Sequence, residues 1–282
     1  MYRFLLILMA AVMFLPNFLT GHSEAAAKGK ILVVASSQNK MELADKSIMD
    51  VGFFLNEFAV PAQYLAARGY EIVLATPSGE MPTMDRGSND KKFFHGDEIA
   101  RADAETFFHS LQPISLRDVI DGGLDEYVGV FVPGGHAPMT DLMQDENLGT
   151  ILRYFHAQNK PTAFICHGPV AALATLPNAG AYRAALVNND AKAAMENAKD
   201  WIYAGYNMTV LSDAEEWPGE VKKGAQMPLH VEQALQIAGA KMHVEGMNVS
   251  HVVRDRELIT GQNPASDIAL AKEFDKALQE KK

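Results

Sequence analysis

Cysteine is almost absent from this chain: of 282 residues, only Cys166 carries a thiol. A lone thiol excludes an internal disulfide. With no Cys-x-x-Cys, thioredoxin-type exchange and sulfur-ligated zinc sites lose their support. What remains is an inert core residue, an intermolecular link or a reactive group. Basic runs are missing too. Nothing longer than Lys-Lys occurs and the formal net charge is −10, so nucleic acid and anionic membrane surfaces are poor partners. The histidines show no His-x-x-x-His spacing, so no metal site is expected. The longest apolar run, residues 4–19, is interrupted by Pro16 and Asn17. It falls short of the roughly 20 residues that a spanning helix needs.

That run reads instead as the core of a secretory signal peptide over residues 1–27. Arg3 supplies the basic start, and small residues follow near Ser23-Glu24-Ala25 and Ala25-Ala26-Ala27. The protein is therefore expected to be exported, periplasmic or secreted. No cysteine lies near the cleavage region, which argues against a lipid anchor. Residues 28–282 contain no repeat, low-complexity tract or convincing linker and are read as an α/β domain.

Apolar, β-rich runs alternate with helical patterns along that stretch. Strands are expected at 30–35, 70–75, 127–132, 162–165 and 207–211, with a hairpin at 251–260 turning at Asp255-Arg256. Helices are expected at 53–68, 102–111, 146–158, from Gly168, at 228–238 and at 266–280, and residues 177–202 look like an inserted helical excursion. Residues 80–100 read as a long loop or lid. Continuous apolar strands between helices imply a mostly parallel sheet covered on both faces. Ligands in such folds bind beyond the C-terminal strand ends. Three segments leave strands there: Ser36 onward, Pro133-Gly134-Gly135-His136, and Cys166-His167-Gly168-Pro169.

Cys166 sits where a buried strand stops and a helix starts. A side chain at so sharp a turn leaves the sheet and faces the N–H groups of the new helix, which favours the thiolate and predicts a lowered pKa. Attack by sulfur on a carbonyl creates an oxyanion. The N–H groups of His167 and of the Gly134-Gly135 pair are the candidate donors for it. Glu57 stands among apolar residues, where a carboxyl has a raised pKa and suits acid–base work. Asp213, Glu215 and Glu216 form an acidic cluster from which one residue would orient His167; spacing leaves the choice open. His230-Val231-Glu232 imitates a His-x-Glu pair, but residues two apart on a helix face away from each other. Asn207-Met208-Thr209 is an accidental glycosylation sequon inside a strand.

Five stretches then stand together: Gly52-Phe53-Phe54-Leu55-Asn56-Glu57 with Pro61, Val132-Pro133-Gly134-Gly135-His136, Ala163-Phe164-Ile165-Cys166-His167-Gly168-Pro169, residues 208–216, and Ile259-Thr260-Gly261-Gln262-Asn263-Pro264-Ala265-Ser266. In this order they resemble the ThiJ/PfpI family of the class I glutamine-amidotransferase-like superfamily, and within it the glyoxalase III and heat-shock chaperone subgroup. The resemblance implies a flavodoxin-like α/β sandwich with Cys166 as nucleophile, His167 beside it, Glu57 as the acid on the thiol and Glu216 as the triad acid. Gly135 and His167 would supply the oxyanion N–H groups. It implies a cofactor-independent, glutathione-independent glyoxalase that converts methylglyoxal or glyoxal to lactate or glycolate, with protein deglycase activity beside it. Small reactive aldehydes and glycated or unfolded proteins would be the partners, and the chain would form a homodimer. A holdase chaperone, a thiol redox sensor and an amidase or peptidase are the competing classes. The sequence departs from the family in Ala137, where Gly-Gly-His-Gly is common, and in the leader, since most relatives are cytoplasmic.

Overall fold

The computed structural model describes residues 28–281. The expected leader over residues 1–27 lies outside the described residues. Among them, no helix is long and apolar enough to cross a membrane.

In chain order the elements begin with β1 (Lys30–Val34), the hairpin β2 (Lys40–Glu42) and β3 (Ile48–Asp50), α1 (Leu55–Ala66) and β4 (Glu71–Thr76). Next come α2 (Glu98–Ser110), β5 (Ile114–Ser115), α3 (Leu116–Gly122), β6 (Tyr127–Val132), α4 (Glu146–Ala157) and β7 (Thr162–Ile165). The excursion holds α5 (Ala179–Val187) and α6 (Ala191–Asn197), followed by β8 (Asn207–Met208), α7 (Asp213–Lys223), α8 (Val231–Ile237) and β9 (Lys241–Met242). The chain closes with β10 (Val252–Asp255), β11 (Leu258–Gly261) and α9 (Asp267–Glu280).

The main sheet has seven strands in the order β10-β11-β7-β6-β1-β4-β5. All its pairings are parallel except β10 with β11. This is the flavodoxin-like α/β sandwich that the resemblance implied. Strand alternation divides the core. Leu32, Val34, Val130, Val132 and Phe164 pack with α3, α4 and the excursion, whereas Ile31, Val33, Phe131, Ala163 and Ile165 face α1, α2 and α9. Each large side chain removed fully from water contributes about 1.5–3 kcal/mol, so these two layers hold the strand ends in place.

Several expected elements shift. The strand expected at 207–211 is only β8, paired with β9 in a separate sheet. Past it, the Thr209 N–H is answered by Thr260 Oγ1 at 2.9 Å and the Leu211 N–H by the Cys166 carbonyl at 3.0 Å, so no ladder continues. The β10–β11 turn falls on Arg256 and Glu257, one residue later than expected, with Arg256 in the left-handed region. Residues 80–100 are not a continuous loop; short 3₁₀ turns at Arg86–Ser88 and Lys91–Phe94 lead into α2. The segment after the elbow, Gly168–Thr175, is a 3₁₀ helix rather than an α-helix. That is long for such winding. Every residue in it is buried, so packing sets its form.

Candidate active site

β6 and β7 lie side by side, so the two segments leaving their C-terminal ends meet. Cys166 takes φ of 59°, a left-handed conformation that costs a non-glycine residue free energy and that nucleophile elbows use. Hydrogen bonds on both sides hold the strain: Cys166 N donates to Gly261 O at 2.9 Å, and Cys166 O accepts from Leu211 N at 3.0 Å.

The two glycines make room for what faces the sulfur. A Cβ on Gly134 would lie 2.3 Å from Glu57 Oε2 and 2.5 Å from Cys166 Cβ. Gly135 has φ of 85°, and a Cβ there would lie 2.1 Å from Gly52 O. The Gly135 and His167 N–H groups, the expected oxyanion donors, lie beside the Cys166 sulfur and favour negative charge on it.

Glu57 comes from the first turn of α1, far from Cys166 in sequence, and is fully buried. Neither carboxyl oxygen has a hydrogen bond of good geometry; the Cys166 thiol and the Gly134 N–H are the polar groups that face it. Burial therefore raises its pKa well above the ordinary carboxylate value, as expected from its apolar neighbours. The thiol behaves differently from expectation. Burial first, and the Glu57 carboxyl second, push the Cys166 thiol well above its ordinary value, and the two N–H donors do not outweigh them. The reason is position: Cys166 is 4% exposed, so desolvation dominates over the donors at the elbow. Cys166 and Glu57 compete for a proton and titrate as a pair.

His167 Nδ1 lies 3.3 Å from Cys166 Sγ, and its Nε2 lies 2.7 Å from Glu216 Oε2. Burial and the neighbouring His136 hold the His167 pKa below the ordinary imidazole value. A neutral ring donating Nε2–H to Glu216 leaves Nδ1 free to accept the thiol proton. Burial pushes Glu216 up, but His167 and His136 outweigh it and hold the carboxyl well below its usual range. A carboxyl whose folded pKa is depressed adds stability above its unfolded pKa, about 4.3, and loses it as pH falls toward the folded value. Acid melts are thus expected to destabilise the wild type more steeply below about pH 4.3 than Glu216→Gln. Parallel slopes would contradict an ionised, clamped Glu216.

Geometry decides among the three acids. Glu215 accepts from Ser212, Gln262, Asn263 and the Asn248 N–H, tying the start of α7 to the segment after β11. Asp213 holds Gln233 and lies 3.6 Å from His230. Glu216 alone of the three meets His167. His230-Val231-Glu232 stays outside, as expected: His230 pairs with Glu220 and Glu232 accepts from Asp213 N. Ser36, also expected near the crevice, is engaged by Asp141 at 2.6 Å.

One participant had no expected role. His136 Nε2 lies 3.1 Å from Glu216 Oε1, and its ring packs on His167 with centroids 4.3 Å apart. Its side chain is 19% exposed, more than those of His167 and Glu216, so it borders solvent. The donor atoms of His136, His167 and Glu216 lie within 4.8 Å of one another, which makes them the group among the described residues that could hold a metal ion. Three remote segments supply them, so no sequence spacing announces the trio. The sequence signal for His136 was only its place at a strand end beside two glycines.

The DJ-1/PfpI family pattern matches residues 48–277, spanning all of these positions. The chain belongs to the DJ-1/PfpI family. Over 151 residues it is 32% identical to glutamine amidotransferase-like class 1 domain-containing protein 1 of Bos taurus, covering 53% of this chain and 57% of that protein. Over 174 residues it is 28% identical to the protein/nucleic acid deglycase HchA of Pseudomonas aeruginosa, covering 60% of this chain and 54% of HchA. The chain thus spans just over half the length of these curated relatives. Its fold matches the Rapid Encystment Protein of Francisella tularensis with a TM-score of 0.67 at 25% identity, covering 89% of this chain and 99% of that one. It matches glyoxalase III from Candida albicans with a TM-score of 0.62 at 21% identity, covering 90% and 98%, a likeness of fold. The curated relatives therefore include one named for deglycase activity.

Proposed function

We propose that this DJ-1/PfpI protein is a glutathione-independent glyoxalase acting on small 2-oxoaldehydes, with Cys166 as nucleophile. The observation that carries the reading is the buried Glu57 carboxyl facing the thiol at the strained elbow, with His167 and Glu216 on the other side. Relatives named as a deglycase and as a glyoxalase support the substrate class.

Cys166 Sγ adds to the aldehyde carbon while its proton passes to His167 Nδ1. Ionised Glu216 stabilises the imidazolium so formed, as a triad acid does. Neutral Glu57 gives its proton to the substrate oxygen, producing a hemithioacetal. The resulting Glu57 carboxylate takes the proton from the former aldehyde carbon and returns it to the neighbouring carbon through an enediol. The product is a thioester. Water then gives one proton to the Glu57 carboxylate and its hydroxide to the acyl carbon. The carbon–sulfur bond breaks, the sulfur takes back the proton held by His167, and the 2-hydroxy acid leaves with thiol, His167 and Glu57 in their starting states. Overall one water is consumed and no electrons leave the substrate, so the scheme requires no external oxidant or reductant. The Gly135 and His167 N–H groups stabilise negative charge on sulfur or oxygen during addition.

The test is lactate formation from methylglyoxal by purified protein without glutathione. Wild type should turn over and folded Cys166→Ala should not; equal lactate yields from the two would refute the reading. Glu216→Gln is expected to lower kcat/KM by about 10²-fold or more, because the amide can no longer stabilise the imidazolium. Steady-state kinetics with circular dichroism as a folding control measures it.

A further inference from the structure

A cavity of about 480 Å³ opens between α5, residues 226–237 and the loop at 42–46. None of Cys166, His167, Glu57, Glu216 or His136 lines it. Its size is within the about 300–1,000 Å³ of small-molecule sites. Leu43, Leu186, Met227, Leu229 and Ile237 give it apolar walls, and Arg183 supplies a cation.

Arg183 is unusual in its surroundings. It is partly buried, and its Nε donates to Met139 O at 2.9 Å. Among the described residues its terminal nitrogens meet no carboxylate, and burial, with no acid opposing it, lowers its pKa. The chain has a net charge of −10, so an acid partner was not in short supply. Other charges around the cavity are already answered. Glu42 pairs with Lys46 at 2.9 Å, His230 lies 3.0 Å from Glu220, and Asp190 caps α6 through the Ala193 N–H. What remains is the Arg183 guanidinium, the amides of Asn189, Gln226 and Gln233, and the apolar walls.

We propose that this cavity binds a small monocarboxylate with an apolar tail, the carboxylate bridging the free N–H groups of Arg183 and the tail lying against Leu229 and Ile237. The guanidinium fork matches the two oxygens of a carboxylate. A bare phosphate would leave the apolar walls unused. This site goes beyond the glyoxalase reading and does not depend on it.

Calorimetric titration of the full chain with hexanoate, hexan-1-ol, hexylammonium and inorganic phosphate tests it, because binding heat needs no turnover. Hexanoate should bind, while the alcohol and the amine should not. Arg183→Met should weaken hexanoate by about tenfold or more, the loss of a charged hydrogen-bonding partner. Leu229→Trp, which fills the cavity and leaves Arg183 in place, should weaken it as well. Cys166→Ala should bind as wild type does, separating this cavity from the catalytic centre. Thermal melts confirm that each variant is folded. Three results would overturn the proposal: no hexanoate heat at millimolar ligand with folded wild type, equal affinity in folded Arg183→Met, or phosphate binding more tightly than hexanoate.

Discussion

Glu57→Gln is expected to lower aldehyde turnover by about 10²–10⁴-fold, the range that a general acid–base group contributes. The substitution keeps the shape of the side chain, so the loss reports chemistry rather than packing. Its amide can neither give the acid proton to the substrate oxygen nor take the proton from the former aldehyde carbon. A second effect runs the other way. Burial raises the folded-state pKa of Glu57, so the folded protein keeps a proton that the unfolded chain has released. Stability therefore falls as pH rises from the unfolded value, about 4.3, toward the raised folded value. Glutamine has no such proton. The stability difference between variant and wild type should move in favour of the variant as pH rises through that interval. Denaturant melts at several pH values, beside kinetics, measure both effects. A Glu57→Gln enzyme with wild-type turnover would remove Glu57 from the mechanism. A stability difference independent of pH would show that the carboxyl is already ionised when folded.

Gly134→Ala should be nearly as damaging, for a steric reason. The new methyl would lie 2.3 Å from Glu57 Oε2, 2.5 Å from Cys166 Cβ and 2.9 Å from Ile165 O. Two of these neighbours belong to the β7 end and its elbow, and none is the far end of a flexible exposed chain. Relief requires Glu57 and Cys166 to part. Overpacking of this kind costs about 1–3 kcal/mol. A misplacement of about 1 Å at reacting groups costs about 10²-fold in rate. Gly122→Ala is the matched control: nothing lies within 4 Å of a Cβ there, at the end of α3. It should melt at or slightly above the wild-type temperature and leave turnover unchanged. If Gly134→Ala behaves like Gly122→Ala in both assays, the close approach of Glu57 to the thiol across Gly134 is wrong.

The positions of Cys166, Glu57 and the double glycine were legible because each breaks a local pattern. A strand ends in Cys-His-Gly-Pro, a carboxylate sits among phenylalanines, and two glycines follow an apolar strand. The outcome for Glu57 matched its neighbours, since burial among apolar groups is a local property of the α1 sequence. The thiol did not follow its own segment. Its pKa depends on burial contributed by other segments and on Glu57 from α1, and neither is visible in the residues around the elbow. The choice among Asp213, Glu215 and Glu216 was closed to spacing for a related reason. Glu215 is drawn off by Gln262 and Asn263 from beyond β11, and only Glu216 turns toward His167. His136 gains its contacts through β6 lying beside β7 and through α7 bringing Glu216 to the same strand ends.

By itself the sequence determined the alternation of strand and helix, the parallel sheet and the elbow, because hydrophobic period and turn chemistry are local. It also determined that one thiol carries whatever sulfur chemistry there is. Tertiary structure alone decided which proton that thiol competes for, which acid holds His167, that His136 joins them, and that Arg183 meets no acid among the described residues. Those are distances between residues remote in the chain, and electrostatic energy depends on distance and burial, which the order of residues does not contain.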